Sequence, residues 1–182
     1  AHYDPLTSLP NRILLHEHLK LSLQRAIRHG KPAALLVIDI DHFKNVNESL
    51  GYASGDELIK QVIERIQQVA DPQDVLCRFG GDEFALVADS CTDTVQTVQQ
   101  VERIMGLFRQ PFSVEQRDIF MTASIGICLY PTTGRSAEEI FRYAETALSK
   151  AKETGRGTYA FYDSALTRLA AEKLHTASEL RI

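Results

Sequence analysis

VLCRFGGDEFALVA, residues 75–88, sets two short apolar segments on either side of Gly80-Gly81-Asp82. Val75 to Phe79 and Phe84 to Val87 each have the length and the apolar character of a strand. Paired glycines between two such segments are typical of a tight connection. The stretch therefore predicts a β-hairpin.

Helix and strand periodicities alternate through the rest of the chain. The continuous apolar run from Ala33 to Ile40 predicts a strand buried on both faces. From Ile119 to Leu129 every odd position is apolar, which predicts one long strand. Helical spacing of apolar residues predicts helices near 15–27, 58–69, 95–108 and 140–151, and a last short strand is predicted at 158–162. The order predicts a mixed α/β (α+β) fold, with a central, mostly antiparallel sheet flanked by helices.

Length and composition suit one globular domain. The chain has 182 residues, of which 44% are hydrophobic and 24% are charged. We expect one domain over residues 1–162 and a separate C-terminal helix over 163–182, which Ser164 could cap. The helix has no stop signal before the last residue, so we expect an excised piece of a longer protein.

Charge and cysteine content exclude some classes of function. The net charge of −4 argues against a protein that binds nucleic acid mainly through the phosphates of the nucleic-acid backbone. No apolar run approaches the roughly 18 residues that span a membrane, so we expect no membrane contact from this segment. Cys77, Cys91 and Cys128 lack the spacing of a disulfide framework or a zinc site, which favours a cytoplasmic location for this segment and leaves open a membrane anchor elsewhere in the full-length protein.

Carboxylates gather at the predicted strand ends. Asp39 and Asp41 end the apolar run, and Asp82 and Glu83 lie at the hairpin tip. If the sheet brings these ends together, the carboxylates converge as hard cations such as Mg²⁺ require. The glycines would let the backbone approach a nucleotide closely and would tolerate positive φ. Taken singly, the same residues are also typical of a tight turn and a solvated strand end.

Taken together, these motifs resemble the GGDEF family of diguanylate cyclase domains, which condense two GTP molecules into cyclic di-GMP. The signature itself is Gly80-Gly81-Asp82-Glu83-Phe84. The resemblance extends over roughly residues 3–162, and it implies a sheet similar to the palm of nucleotidyl cyclases and polymerases. Its other motifs are Asp4-Pro5-Leu6-Thr7, Leu9-Pro10-Asn11-Arg12, Asp39-Ile40-Asp41-His42-Phe43-Lys44, Asn47, Gly51, Gly55-Asp56, Arg78-Phe79, Ser124-Ile125-Gly126, Ala151-Lys152 and Gly155-Arg156.

The resemblance implies a catalytic centre with two divalent ions, Mg²⁺ or Mn²⁺. Asp39, Asp82 and the main-chain carbonyl of Ile40 would hold them. Two ions would offset the charge that develops on the attacked phosphate and promote loss of the hydroxyl proton. Glu83 would be a further ligand or the proton acceptor, and the sequence leaves that open. Asp41 would be either a ligand or a supporting partner.

The resemblance also implies a GTP site. Asn47 and Asp56 would read the guanine edge, which favours GTP over ATP. Asp56 also suits the start of a helix as a plain charge, and Lys152 and Arg156 suit a helix end in the same way. Residues expected near the phosphates are His42 and Phe43 through their backbone, Lys44, Lys152 and Arg156 through their side chains, and Gly80 and Gly81 at the turn.

The implied reaction needs partners. Each domain has one nucleotide site and the product joins two nucleotides, so we expect a second copy of the domain, in two-fold symmetry. The end of the chain resembles the helix that joins such domains to a cyclic di-GMP phosphodiesterase domain of the EAL type, with a sensor domain elsewhere. The alternative function is therefore a GTP-binding module that regulates such a phosphodiesterase.

One motif departs from the family. Many active members carry Arg-x-x-Asp before the signature, and product bound there inhibits the enzyme. Here Asp74 is retained, but Asp71 takes the place of the arginine. Because a carboxylate only accepts hydrogen bonds and repels phosphate, we expect little product inhibition through this surface.

Overall fold

The computed structural model describes residues 2–163. The terminal helix expected over 163–182, with its cap Ser164, lies outside these residues apart from Asp163. The helices are α1 Arg12–His29, α2 Phe43–Leu50, α3 Tyr52–Val69, α4 Thr94–Gly106 and α5 Ala137–Glu153. The strands are β1 Ala33–Ile40, β2 Val75–Arg78, β3 Glu83–Ala88, β4 Phe112–Val114, β5 Arg117–Ile119, β6 Ala123–Tyr130 and β7 Tyr159–Phe161.

The central sheet has five strands in the order β2-β3-β1-β6-β7. All neighbours are antiparallel except β6 and β7, which are parallel. The predicted hairpin is present as β2 and β3, with Leu76 opposite Leu86. β1 lies in the centre and every residue in it is buried, as its apolar run predicts. The mostly antiparallel α+β fold is confirmed.

Helices cover both faces of this sheet. Leu36 and Ile38 of β1 join one core with α3 and α4, while Leu35 and Val37 join a second core with α1 and α5. This alternation follows from the period of two along a strand. Among the described helices, none is long and apolar enough to cross a membrane.

The prediction of one long strand over 119–129 is wrong. β5 ends at Ile119 and β6 begins at Ala123, and the two strands belong to different sheets. β5 pairs with β4 through a turn in which Glu115 and Gln116 have φ of 51° and 64°. The apolar alternation of the sequence continues across the break, although the chain changes sheets there and every residue of β6 is buried, not only the odd-numbered ones.

Candidate functional site

Asp39 lies near the end of β1, opposite Glu83 of β3 on one side and Ser124 of β6 on the other. The residue is 4% exposed. One carboxylate oxygen, Oδ2, forms an ion pair with Lys152, and Oδ1 is buried with no hydrogen-bond partner among the described residues. Burial raises the pKa of Asp39 to about 6, and the neighbouring Asp82 carboxylate adds to the rise while Lys152 opposes it.

Glu83 adds negative charge beside Asp39. Burial raises the pKa of Glu83, the Asp39 and Glu145 carboxylates raise it further, and Lys152 lowers it. A half-buried group of carboxylates beside an unpartnered carboxylate oxygen has the oxygen chemistry that a hard divalent cation requires.

The convergence of carboxylates is narrower than the sequence predicts. Asp41 does not join the others, because its side chain turns to Thr122 and Ser124. Within residues 2–163, no group of three or more His, Cys, Asp or Glu side chains is placed to enclose a metal ion. The oxygens of Asp39, Asp82 and Glu83 thus fit a divalent ion chemically, but they do not form a closed ligand shell.

The hairpin tip is held in place by Arg78. Its guanidinium donates to the main-chain oxygen of Gly81 at 2.8 Å and forms an ion pair with Asp4 at 2.9 Å. Burial opposes ionisation of Asp4, but hydrogen bonds from Thr7 and Arg78 outweigh it and hold the pKa of Asp4 below its usual value. Sequence reasoning gave neither residue a role, although both lie in the quoted motifs.

Neither glycine of the tip has a positive φ, so the tolerance of glycine for that conformation is not what the turn requires. A Cβ on Gly80 would lie 3.2 Å from Cβ of Glu83, so the missing side chain makes room for the returning strand. A Cβ on Gly81 would meet nothing within 4 Å. Gly81 therefore leaves open space beside Asp82, which a ligand could use.

The basic residues expected at the phosphates differ in their surroundings. Lys152, in the last turn of α5, points to Asp39. Arg156 follows α5 and places Nη1 3.6 Å from Oδ1 of Asp41. Lys44 is 86% exposed and its nearest acid is Glu48, 3.7 Å away on the same helix. The structure therefore brings Lys152 and Arg156 to the carboxylates and leaves Lys44 on the outer face of α2.

α2 begins directly after the carboxylates. His42, which precedes it, has φ of 59°, and the backbone of His42 and Phe43 forms the turn from β1 into the helix. The sequence analysis did not predict this helix. Its sequence, FKNVNESL, buries only Phe43 and Val46, so it has too few apolar residues for a helical period to be visible.

Asn47 and Asp56, the expected guanine readers, lie on neighbouring helices. Gly55, buried in the first turns of α3, faces Asn47. A Cβ on Gly55 would overlap the Asn47 amide and lie 3.2 Å from Cζ of Phe43. The absence of a side chain at Gly55 thus lets the amide lie against α3, one residue from the exposed Asp56.

Asp74 and Asp71 lie just before β2, away from these groups in the fold. Both oxygens of Asp74 accept hydrogen bonds from Ser90, at 3.0 Å from its N–H and 2.6 Å from its hydroxyl. Burial raises the pKa of Asp74, and the nearby charges of Asp71 and Asp89 raise it further. Asp71, which stands at the position expected for an arginine, is itself an acid and supplies no positive charge here.

Comparison with known proteins identifies the family. Residues 1–158 match the family model described as "Diguanylate cyclase, GGDEF domain". The chain belongs to the GGDEF family. The sequence resemblance and the palm-like fold that it implied are thereby confirmed.

Curated relatives and solved structures agree with this assignment. The chain is 39% identical over its whole length to the cyclic di-GMP phosphodiesterase NbdA and 37% identical to the bifunctional diguanylate cyclase/cyclic di-GMP phosphodiesterase MucR, both from Pseudomonas aeruginosa. It spans 23% and 26% of these relatives, about a quarter of their length. The structure of the GGDEF domain of TpbB (YfiN), from the same species, matches with a TM-score of 0.86 and 30% identity, covering 92% of this chain and 98% of that one.

Proposed function

We propose that this GGDEF domain is a diguanylate cyclase, which converts two molecules of GTP into cyclic di-GMP and two pyrophosphates. The observation that carries the proposal is the Asp39 carboxylate, which lies beside Asp82, Glu83 and Lys152. It is buried at a strand end, and one of its oxygens has no partner in the described part of the chain. A purely structural domain gains nothing from a buried, half-satisfied carboxylate, since its desolvation lowers stability.

Substrate binding is assigned to the residues around that carboxylate. Asn47 and Asp56 would accept and donate hydrogen bonds at the guanine edge, and adenine lacks the N1–H that a carboxylate can accept. Lys152 and Arg156 would hold the terminal phosphates together with the backbone of His42 and Phe43. Lys44, which is exposed beside Glu48, would have to turn toward the space between the ends of β1 and α5, here called the cleft, to join them.

The metal assignment is part of the proposal. Asp39, Asp82 and the Ile40 carbonyl would hold Mg²⁺ or Mn²⁺, two ions in each site, with Glu83 as a further ligand or as proton acceptor. When bound, the ions would offset phosphate charge and acidify the attacking hydroxyl. The protein groups would orient the α-phosphate toward the incoming 3′-hydroxyl.

Bond formation requires two copies of the domain. The 3′-oxygen of one GTP bonds to the α-phosphorus of the other, the bond to the bridging oxygen of the β-phosphate breaks, and pyrophosphate leaves with that electron pair. The hydroxyl proton passes to Glu83 or to solvent. The same exchange in the opposite direction closes the ring. Because the two steps are equivalent, we propose that a second copy faces this one across a two-fold axis.

A regulatory function is the second candidate. NbdA, a close match, is named a phosphodiesterase, and the chain spans only 23% of it. In that case the domain would bind GTP without turnover and would act on a linked phosphodiesterase domain. A sensor domain elsewhere in a longer protein that contains this domain would fit either function.

The deciding experiment is incubation of the purified domain with GTP and Mg²⁺, followed by detection of cyclic di-GMP by mass spectrometry. We expect product from the wild type, none from Asp82→Ala, and a specific activity that rises with protein concentration. GTP binding without product at any concentration would favour the regulatory function, and no GTP binding would exclude both.

A further inference from the structure

The turn that follows α5 has an unusual backbone. Gly155, Arg156 and Gly157 have φ of 119°, 61° and 58°, so three consecutive residues are in the left-handed region. Glycine adopts this region readily, but arginine has a Cβ that disfavours it. Such a conformation persists where surrounding contacts determine it. The contacts that hold the turn therefore fix the position of the Arg156 side chain.

The start of the turn is held by main-chain hydrogen bonds to α5, from Gly155 N–H to Lys152 and from Arg156 N–H to Ala151, and Asp41 holds the end of the turn. Its Oδ2 accepts the N–H of Gly157 at 2.9 Å and the hydroxyl of Thr122 at 2.6 Å. Its Oδ1 accepts the hydroxyl of Ser124 at 2.6 Å and lies 3.6 Å from Nη1 of Arg156. The residue is 3% exposed.

Three of these contacts are hydrogen bonds, and together with the Arg156 ion pair they use most of the acceptor capacity of the carboxylate, which offers about four lone-pair positions. Both oxygens of Asp41 thus have partners, in contrast to Asp39, which keeps one oxygen without a partner within residues 2–163. A buried carboxylate with this set of donors is satisfied by protein groups without a metal ion. This favours the supporting role over the metal-ligand role for Asp41.

Asp39 and Asp41 each form an ion pair with a basic residue at the end of α5. Asp39 and Asp41 are two apart at the end of β1, and their cations, Lys152 and Arg156, are four apart at the end of α5. Arg156 remains 38% exposed. Its guanidinium has five N–H donors, more than Asp41 can accept, so it can reach from the buried carboxylate to an anion in the cleft.

We propose that Asp41 is a positioning residue: it holds the 155–157 turn in its left-handed form and thereby presents Arg156 to the terminal phosphates of the nucleotide. The inference rests on the proposed function for the identity of that anion. It assigns Asp41 no contact with the substrate or with a metal ion.

The test measures binding of α,β-methylene GTP, which cannot release pyrophosphate, and of GMP, by calorimetry in the presence of Mg²⁺. Asp41→Asn keeps the shape of the side chain but removes the charge. We expect it to weaken binding of the triphosphate about tenfold, as Arg156→Met should, because both remove a charge-assisted contact. GMP should bind as it does to the wild type, since it lacks the terminal phosphates.

A double variant distinguishes positioning from an independent contribution. If Asp41 acts through Arg156, Asp41→Asn combined with Arg156→Met should bind no more weakly than Arg156→Met alone. The matched control is Asp118→Asn, which removes the same charge from an exposed position on β5 and should leave both affinities unchanged.

Nuclear magnetic resonance gives a readout that does not depend on activity. The Gly157 amide donates to a carboxylate, so its proton signal should move upfield and exchange faster in Asp41→Asn. If that variant does not fold, Thr122→Val removes one hydroxyl donor while keeping the charge, and it should weaken triphosphate binding selectively, to a smaller extent.

Two results would overturn the inference while leaving the proposed function intact. One is wild-type affinity for the triphosphate in Asp41→Asn, and the other is additive losses in the double variant. A wild-type domain that binds neither nucleotide would instead overturn the proposed function, and the phosphate role of Arg156 with it. A wild type that binds the analogue but makes no cyclic di-GMP would remove only the cyclase activity.

Discussion

Asp39 and Lys152 form an ion pair across the end of β1, and only one oxygen of the Asp39 carboxylate takes part in it. The ammonium group therefore compensates part of the buried charge and leaves a carboxylate oxygen to be satisfied by another cation. Without that cation, burial makes the ionised form unfavourable and raises the pKa of Asp39 to about 6. A cation that binds the ionised carboxylate would therefore stabilise the folded domain.

The first prediction concerns stability without metal. The folded pKa of Asp39, about 6, lies above its ordinary value of 3.8. The protonated carboxyl therefore contributes fully to the stability of the fold below pH 3.8, and this contribution is lost as the pH rises through 6. Asp39→Asn does not ionise. In EDTA at pH 7.5 it should be more stable than the wild type by up to about 3 kcal/mol, and the difference should shrink as the pH falls toward 4.

Urea unfolding at several pH values measures this difference, with Asp118→Asn as the control for loss of one exposed charge. Added Mg²⁺ should stabilise the wild type and leave Asp39→Asn almost unchanged, because the ion binds the ionised carboxylate. A metal-free variant that is no more stable than the wild type at pH 7.5 would contradict the prediction.

The second prediction concerns Gly126, where β6 packs against α5. A Cβ at Gly126 would lie 2.8 Å from Cα of Leu148 and closer still to main-chain atoms of Ala144 and Leu148. These atoms belong to the helix backbone and cannot rotate away. Gly126→Ala should therefore lower the free energy of unfolding by about 1–3 kcal/mol or more, and displace α5 with Lys152.

Gly106→Ala is the matched control, because a Cβ there meets nothing within 4 Å and Gly106 has an ordinary helical φ of −62°. Thermal unfolding of the two variants should show a clear loss of stability for Gly126→Ala and little change or a gain in stability for Gly106→Ala. Equal stabilities would show that α5 can move away from β6 at no cost.

Gly126 also shows how far the sequence alone could go. The alternation in 119–129 predicts a strand with one apolar face, whereas β6 is buried throughout because helices cover both faces of the sheet. The break after Ile119 could not be predicted, because the turn that pairs β5 with β4 uses Glu115 and Gln116 in the left-handed region, where the sequence has neither glycine nor asparagine.

The site was predictable to a similar extent. The strand-end positions of Asp39 and Asp82 followed from apolar runs and glycines. Whether Asp41 faces the same cleft could not follow, because it depends on Thr122 and Gly157, which approach from distant parts of the chain. Sequence spacing contains no record of such long-range hydrogen bonds.

The third prediction tests the base pocket. Asn47→Ala and Asp56→Ala should each weaken GTP binding and narrow the preference over ATP by about 1–3 kcal/mol, since each leaves a polar group of the guanine edge without its partner. Competition binding with both nucleotides measures the preference. Glu57→Ala removes an exposed carboxylate next to Asp56 and should have no effect. An unchanged preference in both pocket variants would place the base elsewhere.

The last prediction concerns product binding near Asp74. Both of its oxygens already accept from Ser90, and the neighbouring Asp71 carboxylate accepts the N–H of Gln73 at 3.0 Å. Arg103, a cation in the adjoining cavity, donates to Gln100. A dianionic ligand would therefore meet two acids, and Arg103 already has a partner. We predict that the wild type does not bind cyclic di-GMP at micromolar concentration in calorimetric titration.

Two substitutions at Asp71 separate repulsion from a missing donor. Asp71→Asn removes the charge and should leave binding undetectable, whereas Asp71→Arg adds a guanidinium that can donate to a phosphate or a guanine edge and should create binding. Asp74→Ala added to Asp71→Arg should abolish that binding, because the retained acid would be its second contact. Micromolar binding by the wild type that Asp74→Ala removes would mean that another cation, such as Arg103 in the adjoining cavity, replaces the missing arginine.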